Sequence, residues 1–256
     1  MVVSRRGVLR STAGLLGGLA LGGWAAPAAA AAGGVPAAAG KPTRRPLAER
    51  LQVCRPAGDP LDELLRRNLS FSEVWQQAQA SGDPQERALL LQQNWPLGCQ
   101  VRPEALAEGQ KPWAAILCCA DSRVAPEWLF ASGSGELFEV RCAGNTAFNA
   151  GVASLEYAVA ALAVPLILVM GHSGCGAVQA AMATAPLTPL LQELVGPIRA
   201  SLRPGLDLAG AVRANAVAAA AGLGQRSALL RQAEADGRLR IEAAVFDIAS
   251  GRVQVV

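Results

Sequence analysis

Three short apolar runs, WAAILCC (113–119), ELFEVR (136–141) and PLILVMG (165–171), constrain this chain more than any other feature. A run of four to eight residues that stays apolar without alternation reads as a strand covered on both faces, as parallel strands are. Between the last two runs lies NTAFNAGVASLEYAVAALAV, Ala-rich and long enough for a helix, and CGAVQAAMATA opens another directly after the third. Further helical segments fill about residues 188–236, and LRIEAAVFDI and RVQVV close the chain as a hairpin around Ser250-Gly251. Strands that alternate with helices imply an α/β fold with a central, mostly parallel sheet flanked by helices.

Ahead of the alternation, residues 59–95 read as two or three Leu- and Gln-rich helices. Asp59-Pro60 and Asp83-Pro84 each place an N-cap before a first-turn proline, and Ser70 with Glu73 fits a capping box. Helices outside the sheet pattern need something to pack on, either a domain of their own or a partner subunit.

Three segments follow: an export signal over 1–30, a linker or extension over 31–58, and a catalytic domain over 59–256. The first has a basic start, an apolar stretch near 12–25 broken by glycine, and small residues after it; it is short of the ~20 residues a bilayer needs. Arg5-Arg6 within SRRGVLR resembles a twin-arginine signal, so the expected destination is outside the cytoplasm, in the periplasm, with no stable membrane span after removal. Arg5, Arg6 and Arg10 are the charges of that segment; the rest balances at 20 basic and 20 acidic residues, leaving no basic block for nucleic acid.

Cysteine and histidine usage narrows the chemistry. The six cysteines, Cys54, Cys99, Cys118, Cys119, Cys142 and Cys175, are too few and too unevenly placed for a disulfide scaffold, although Cys54–Cys99 is a possible bridge after export. His172 is the only histidine, so a three-His metal site and HExxH are both excluded.

Two clusters fall where the first and third strands end. In extended backbone Cys119, Asp121 and Arg123 point one way, Cys118 and Ser122 the other, which leaves Cys118 as a small core residue. In GHSGCGAV, His172 and Cys175 stand three apart across a glycine-bearing turn. The carboxyl edge of an open α/β sheet is where such folds place their sites, so adjacent strands would bring Cys119, His172 and Cys175 together. Two thiolates and an imidazole are a zinc set with one position left open, as in catalytic sites.

The order C-A-D-S-R (119–123) then H-S-G-C-G (172–176) resembles the paired signature of the β-class carbonic anhydrases. GQKP (109–112), ELFEVRCAGN (136–145), SLEYAV (154–159), FDIASGRV (246–253) and Asn68-x-x-Phe71 are also similar to that family, whereas 79–105 is not. The resemblance implies one Zn²⁺ per chain on Cys119, His172 and Cys175, and reversible hydration of CO₂ to bicarbonate and a proton. It further implies a homodimer or dimer of dimers whose N-terminal helices lie on the partner.

In that reaction Arg123 holds the Asp121 carboxylate ionised, and Asp121 accepts a hydrogen bond from the reacting water and orients it toward CO₂. If the pair breaks, Asp121 is itself a possible fourth zinc ligand. No second histidine exists to relay protons, and Tyr157 reads as a packing residue; Trp113, Trp128, Phe130 and Phe138 are expected around the sheet, keeping the pocket apolar. Three rivals remain: a carbon disulfide or carbonyl sulfide hydrolase on the same zinc set, a Cys175–His172 thiol enzyme, and a non-catalytic zinc-binding homologue.

Overall fold

The computed structural model describes residues 45–93 and 99–256. The expected export signal (1–30) and the linker as far as residue 44 lie outside the described residues, as do 94–98. Within 31–58 the chain forms α1 (Leu47–Leu51), and it continues with α2 (Pro60–Ala80), α3 (Pro84–Gln92) and the single turn α4 (Pro103–Leu106). A Cys54–Cys99 disulfide joins the end of the α1 region to the approach to α4, over a small cluster of Leu51, Val101 and Ala105.

Both Asp-Pro signals work as caps. Asp59 Oδ1 accepts from the backbone N–H of Leu61 at 2.8 Å and of Asp62 at 3.1 Å, and Asp83 accepts from Gln85 N–H at 2.8 Å. The Ser70–Glu73 capping box does not form, because both residues lie inside α2. One face of that helix buries Leu61, Leu64, Asn68, Phe71, Ser72 and Ala78 in succession, and this tertiary burial carries the helix through Ser70.

The sheet holds β1 (Ala114–Cys118), β2 (Leu137–Arg141), β3 (Leu166–His172), β4 (Arg240–Asp247) and β5 (Arg252–Val255) in the order β2-β1-β3-β4-β5. The first four run parallel, and β5 turns back antiparallel on β4 as the terminal hairpin. The single turn α5 (Pro126–Leu129) follows β1, and α6 (Asn149–Ala160) joins β2 to β3. After β3 come α7 (Gly176–Met182), α8 (Pro189–Ser201), α9 (Leu208–Arg226) and α10 (Ala228–Ala235).

Every residue of β1 and β3 is buried, which is why neither run alternates. Ile116, Leu168, Met170 and Phe246 pack toward Leu64 and Phe71 of α2, while Leu117, Ile167 and Val169 pack toward Leu155 of α6, Leu223 of α9 and Leu230 of α10. Each such side chain contributes about 1.5–3 kcal/mol of burial energy. The α2 side is locked to the hairpin by polar contacts. Asn68 Nδ2 donates to Gly251 O at 3.0 Å, Asn68 Oδ1 accepts from Val253 N–H at 2.7 Å, and Trp75 Nε1 donates to Ile248 O at 2.9 Å. Gly251 (φ +74°) must stay glycine here, since a Cβ would come within 3.0 Å of the Trp75 side chain.

The aromatic residues pack around the sheet as expected, on both of its faces. Trp113, Trp128 and Phe130 belong to the α2-side cluster, and Trp113 Nε1 donates to Glu136 Oε1 at 3.1 Å. Phe138 lies on the other face beside Tyr157, which is 52% exposed and so only partly a packing residue. Trp128 also lines a cavity with Glu127, Leu137 and Glu139.

Candidate metal centre

β1 and β3 are neighbours, with Cys118 opposite Met170, so the turns that leave them meet at one edge. Cys119, His172 and Cys175 are all buried there, and their ligand atoms lie within 4.8 Å of one another. Gly174 takes a left-handed conformation (φ +66°), which lets the chain double back between His172 and Cys175.

His172 is presented in a single tautomer. Its Nδ1 stands 3.0 Å from Ser173 O, and a carbonyl only accepts, so Nδ1 carries the proton and Nε2 keeps its lone pair. That Nε2 is buried and has no hydrogen-bond partner among the described residues. A buried acceptor with no donor is costly, and a metal ion on the two sulfurs would complete it. Ser173 is held in turn: its N–H donates to Phe246 O at 2.9 Å, and its Oγ accepts from Ile248 N–H at 3.0 Å.

The sulfur electrostatics agree. Cys119 is held down to about 4, first by a hydrogen bond from Cys175 and further by Gly144 N–H, whose nitrogen is 3.2 Å from Sγ. The Cys175 thiol is pushed up by the same bond and by burial. Cys118, on the α2 side of the sheet, is pushed up to about 12 by burial and is inert. Cys142 stays apart from the cluster, with Sγ 3.0 Å from Thr146 O.

Asp121 and Arg123 reach the site by a route that strand alternation does not describe. β1 ends at Cys118, and residues 121–124 form a tight turn in which Asp121 O accepts from Val124 N–H at 3.0 Å. Asp121 Oδ1 accepts from Arg123 N–H and from Arg123 Nε, each at 2.9 Å, and Oδ2 accepts from Nη2 at 2.8 Å. These bonds, led by the guanidinium, hold the Asp121 carboxyl well below the usual carboxylate range. Asp121 Oδ2 stands 3.8 Å from His172 Nε2, and Arg123 Nη2 also donates to Gly174 O at 3.3 Å, tying the two turns together.

Three contributors escape sequence reasoning. Arg141, at the end of β2, donates to the carbonyls of Cys119 (3.1 Å), Asp121 (3.0 Å) and Val124 (2.5 Å), clamping the whole turn. Gly144 bonds the Cys119 sulfur, and Asn215 of α9 bonds Gly144 O at 2.8 Å. The basic residue closing ELFEVR and the following CAGN are visible in the sequence, but no spacing rule connects them to Cys119. Cys119 and Cys175 are packed among Val178 and Ala181 of α7, Val195 and Ile198 of α8, and Ala211 and Val212 of α9.

Comparison with known proteins places this arrangement. A family model described as carbonic anhydrase matches residues 114–253, more than half of the chain. A carbonic anhydrase of Mycolicibacterium smegmatis is 37% identical over 163 residues, covering 60% of this chain and 79% of that protein. Among solved structures, a Coccomyxa β-carbonic anhydrase in complex with acetazolamide aligns with a TM-score of 0.55 at 29% identity, covering 60% of this chain and 76% of that one. A β-carbonic anhydrase of Sordaria macrospora, described as tetrameric, aligns with a TM-score of 0.54 at 25% identity, covering 60% of this chain and 84% of that one. A shared fold, a family match over both strand ends and the same enzyme name among relatives lead to one conclusion: the chain belongs to the β-class carbonic anhydrases and is an enzyme of the lyase class.

Proposed function

We propose that Cys119, His172 and Cys175 hold one Zn²⁺ and that the chain hydrates CO₂ reversibly to bicarbonate and a proton. The observation that carries this reading is the meeting of the three donors with the Asp121–Arg123 pair at one sheet edge. Zinc in such a set supplies the Lewis acidity that brings the pKa of water toward neutrality. Asp121, kept ionised by Arg123, accepts a hydrogen bond from the reacting water and aims its lone pair at CO₂. Arg123 sets the direction of that carboxylate, and its second bond to Gly174 O keeps it over the turn that bears Cys175. Arg141 fixes the backbone between Cys119 and Val124, so ligand and acceptor move as one unit. The proton leaves through water or buffer.

The same reading extends to assembly and destination. A homodimer or dimer of dimers is supported by the tetrameric Sordaria relative and by α3, which buries none of its residues within this chain. Residues 1–30 are proposed as a twin-arginine export signal leading to the periplasm, with 59–256 as the catalytic domain. The Cys54–Cys99 disulfide supports an oxidising destination. Among the described residues no helix is long and apolar enough to cross a membrane.

The test is CO₂ hydration followed by stopped flow on the purified protein, with zinc counted on the same sample and Cys119→Ser alongside. One zinc per chain, with both zinc and activity lost in the variant, is the expected result. Zinc without hydration from neutral to alkaline pH would favour another substrate, and full activity without zinc would overturn the metal reading.

A further inference from the structure

Among the residues that α9 buries, Asn215 is the only polar one; its neighbours in that row are Ala211, Val212, Ala216 and Leu223. A buried amide is costly unless it is bonded, and an apolar side chain would serve the packing better. Asn215 is 3% exposed and spends its Nδ2 on Gly144 O at 2.8 Å and on Asn145 Oδ1 at 3.4 Å.

Gly144 is the residue whose N–H faces the Cys119 sulfur. Its φ is +72°, and that of Asn145 is +46°, two left-handed residues in succession. For Asn145 this conformation costs about 1 kcal/mol and persists only where the surroundings impose it. A Cβ on Gly144 would lie 2.6 Å from Ile198 Cδ1 and 3.0 Å from Ala177 Cβ, so α7 and α8 press the turn from one side while Asn215 pulls its carbonyl from α9. The ladder bonds Ala120 N–H to Cys142 O and Cys142 N–H to Cys118 O, both 3.2 Å, bring the turn up against the end of β1.

We infer that Asn215 is a positioning residue for the metal thiolate: by holding Gly144 O it aims the Gly144 N–H at Cys119 Sγ. An N–H···S bond draws electron density from the sulfur and limits its rotation about Cβ, and outer partners of this kind tune both affinity and ligand strength. The inference rests on Cys119 being a metal ligand and deepens that reading.

The test uses the Co²⁺-loaded full chain, whose thiolate-to-cobalt absorption reports the Cys119 and Cys175 sulfurs together, along with the rate of cobalt loss to a chelator. Asn215→Leu, which keeps bulk, and Asn215→Ala, which does not, both remove the donor. Each is expected to move the absorption to longer wavelength and to speed cobalt loss about tenfold. Leu223→Ala, a core truncation on the same helix, is expected to lower the melting temperature and leave the absorption in place. In the wild-type chain loaded with ¹¹³Cd, the Gly144 amide proton is expected to show scalar coupling to the metal, a reading that needs no variant. Wild-type absorption with both Asn215 variants unshifted and losing cobalt within twofold of wild type would overturn the inference, as would an uncoupled Gly144 amide. Absence of the thiolate absorption in the wild-type chain would overturn the reading of Cys119 together with it.

Discussion

The Arg123 guanidinium grips the Asp121 carboxylate with two near-parallel bonds, Nε to Oδ1 at 2.9 Å and Nη2 to Oδ2 at 2.8 Å, two residues apart in a turn that a third side chain, Arg141, holds shut. With Arg123 half exposed, the pair adds little to global stability, so its value lies in where it points the carboxylate. Asp121→Asn should lower kcat/KM by 10²-fold or more at unchanged zinc content, in the range typical of proton-handling groups. Arg123→Gln should cost about tenfold or more with the same zinc count. Zinc loss in either variant would show that the pair builds the metal site instead of serving the reaction.

The two adjacent cysteines should separate cleanly. Cys119→Ser is expected to lose most of the bound zinc, while Cys118→Ser should keep it and lose about 1–3 kcal/mol of stability, because a hydroxyl replaces a fully buried thiol. Zinc analysis and urea denaturation of the two variants check this. The reverse pattern would contradict the assignment of the sulfurs to opposite faces of the sheet.

Asn68 ties α2 to the terminal hairpin with two backbone bonds at 1% exposure. Asn68→Ala leaves Val253 N–H and Gly251 O unpaired at a site closed to water. A loss of about 2–3 kcal/mol is expected from chemical denaturation, with zinc content intact. A loss below 0.5 kcal/mol would mean that water replaces the amide.

Glu139 of β2 supplies a pH prediction away from the metal. Its Oε1 is buried with no hydrogen-bond partner among the described residues; burial, then the facing Glu127 carboxylate, lifts its pKa to about 7. The unfolded chain ionises this group near its ordinary value of 4.5, so between there and pH 7 the folded state holds the extra proton. Stability from this group is therefore lost as pH rises through that window. Glu139→Gln should match wild type near pH 4 and exceed it by about 1 kcal/mol at pH 8, after allowance for solvent screening. Urea titrations at pH 4, 6 and 8 measure the difference, and a constant offset across the three would refute the cause.

Much of the architecture was legible in the chain because the signals are local. Unbroken apolar runs marked the two buried parallel strands β1 and β3. ELFEVR, read the same way, is the half-buried edge strand β2, in which only Val140 is buried. Asp-Pro pairs marked two helix starts. Ser70–Glu73 misled because a capping box is only a preference, and the apolar stripe from Leu61 to Ala78 overrides it. Strand parity separated Cys118 from Cys119 and grouped Asp121 and Arg123 with Cys119. The structure keeps that grouping, although a turn after the strand has ended makes it in place of extended backbone.

What the sequence determined by itself is the donor chemistry. One histidine and two cysteines at strand ends leave few other sets, and an acid two residues from an arginine leaves a short, strong pair. What only the tertiary structure decided is how that chemistry is held: the Arg141 clamp on three carbonyls, the Gly144 amide on Cys119, and the Asn215 side chain reaching Gly144 from a helix 71 residues further along. These contacts use backbone groups that every residue carries, so composition and spacing hold no trace of them. They exist because the register of β1, β2 and β3 brings three distant turns to the same edge of the sheet.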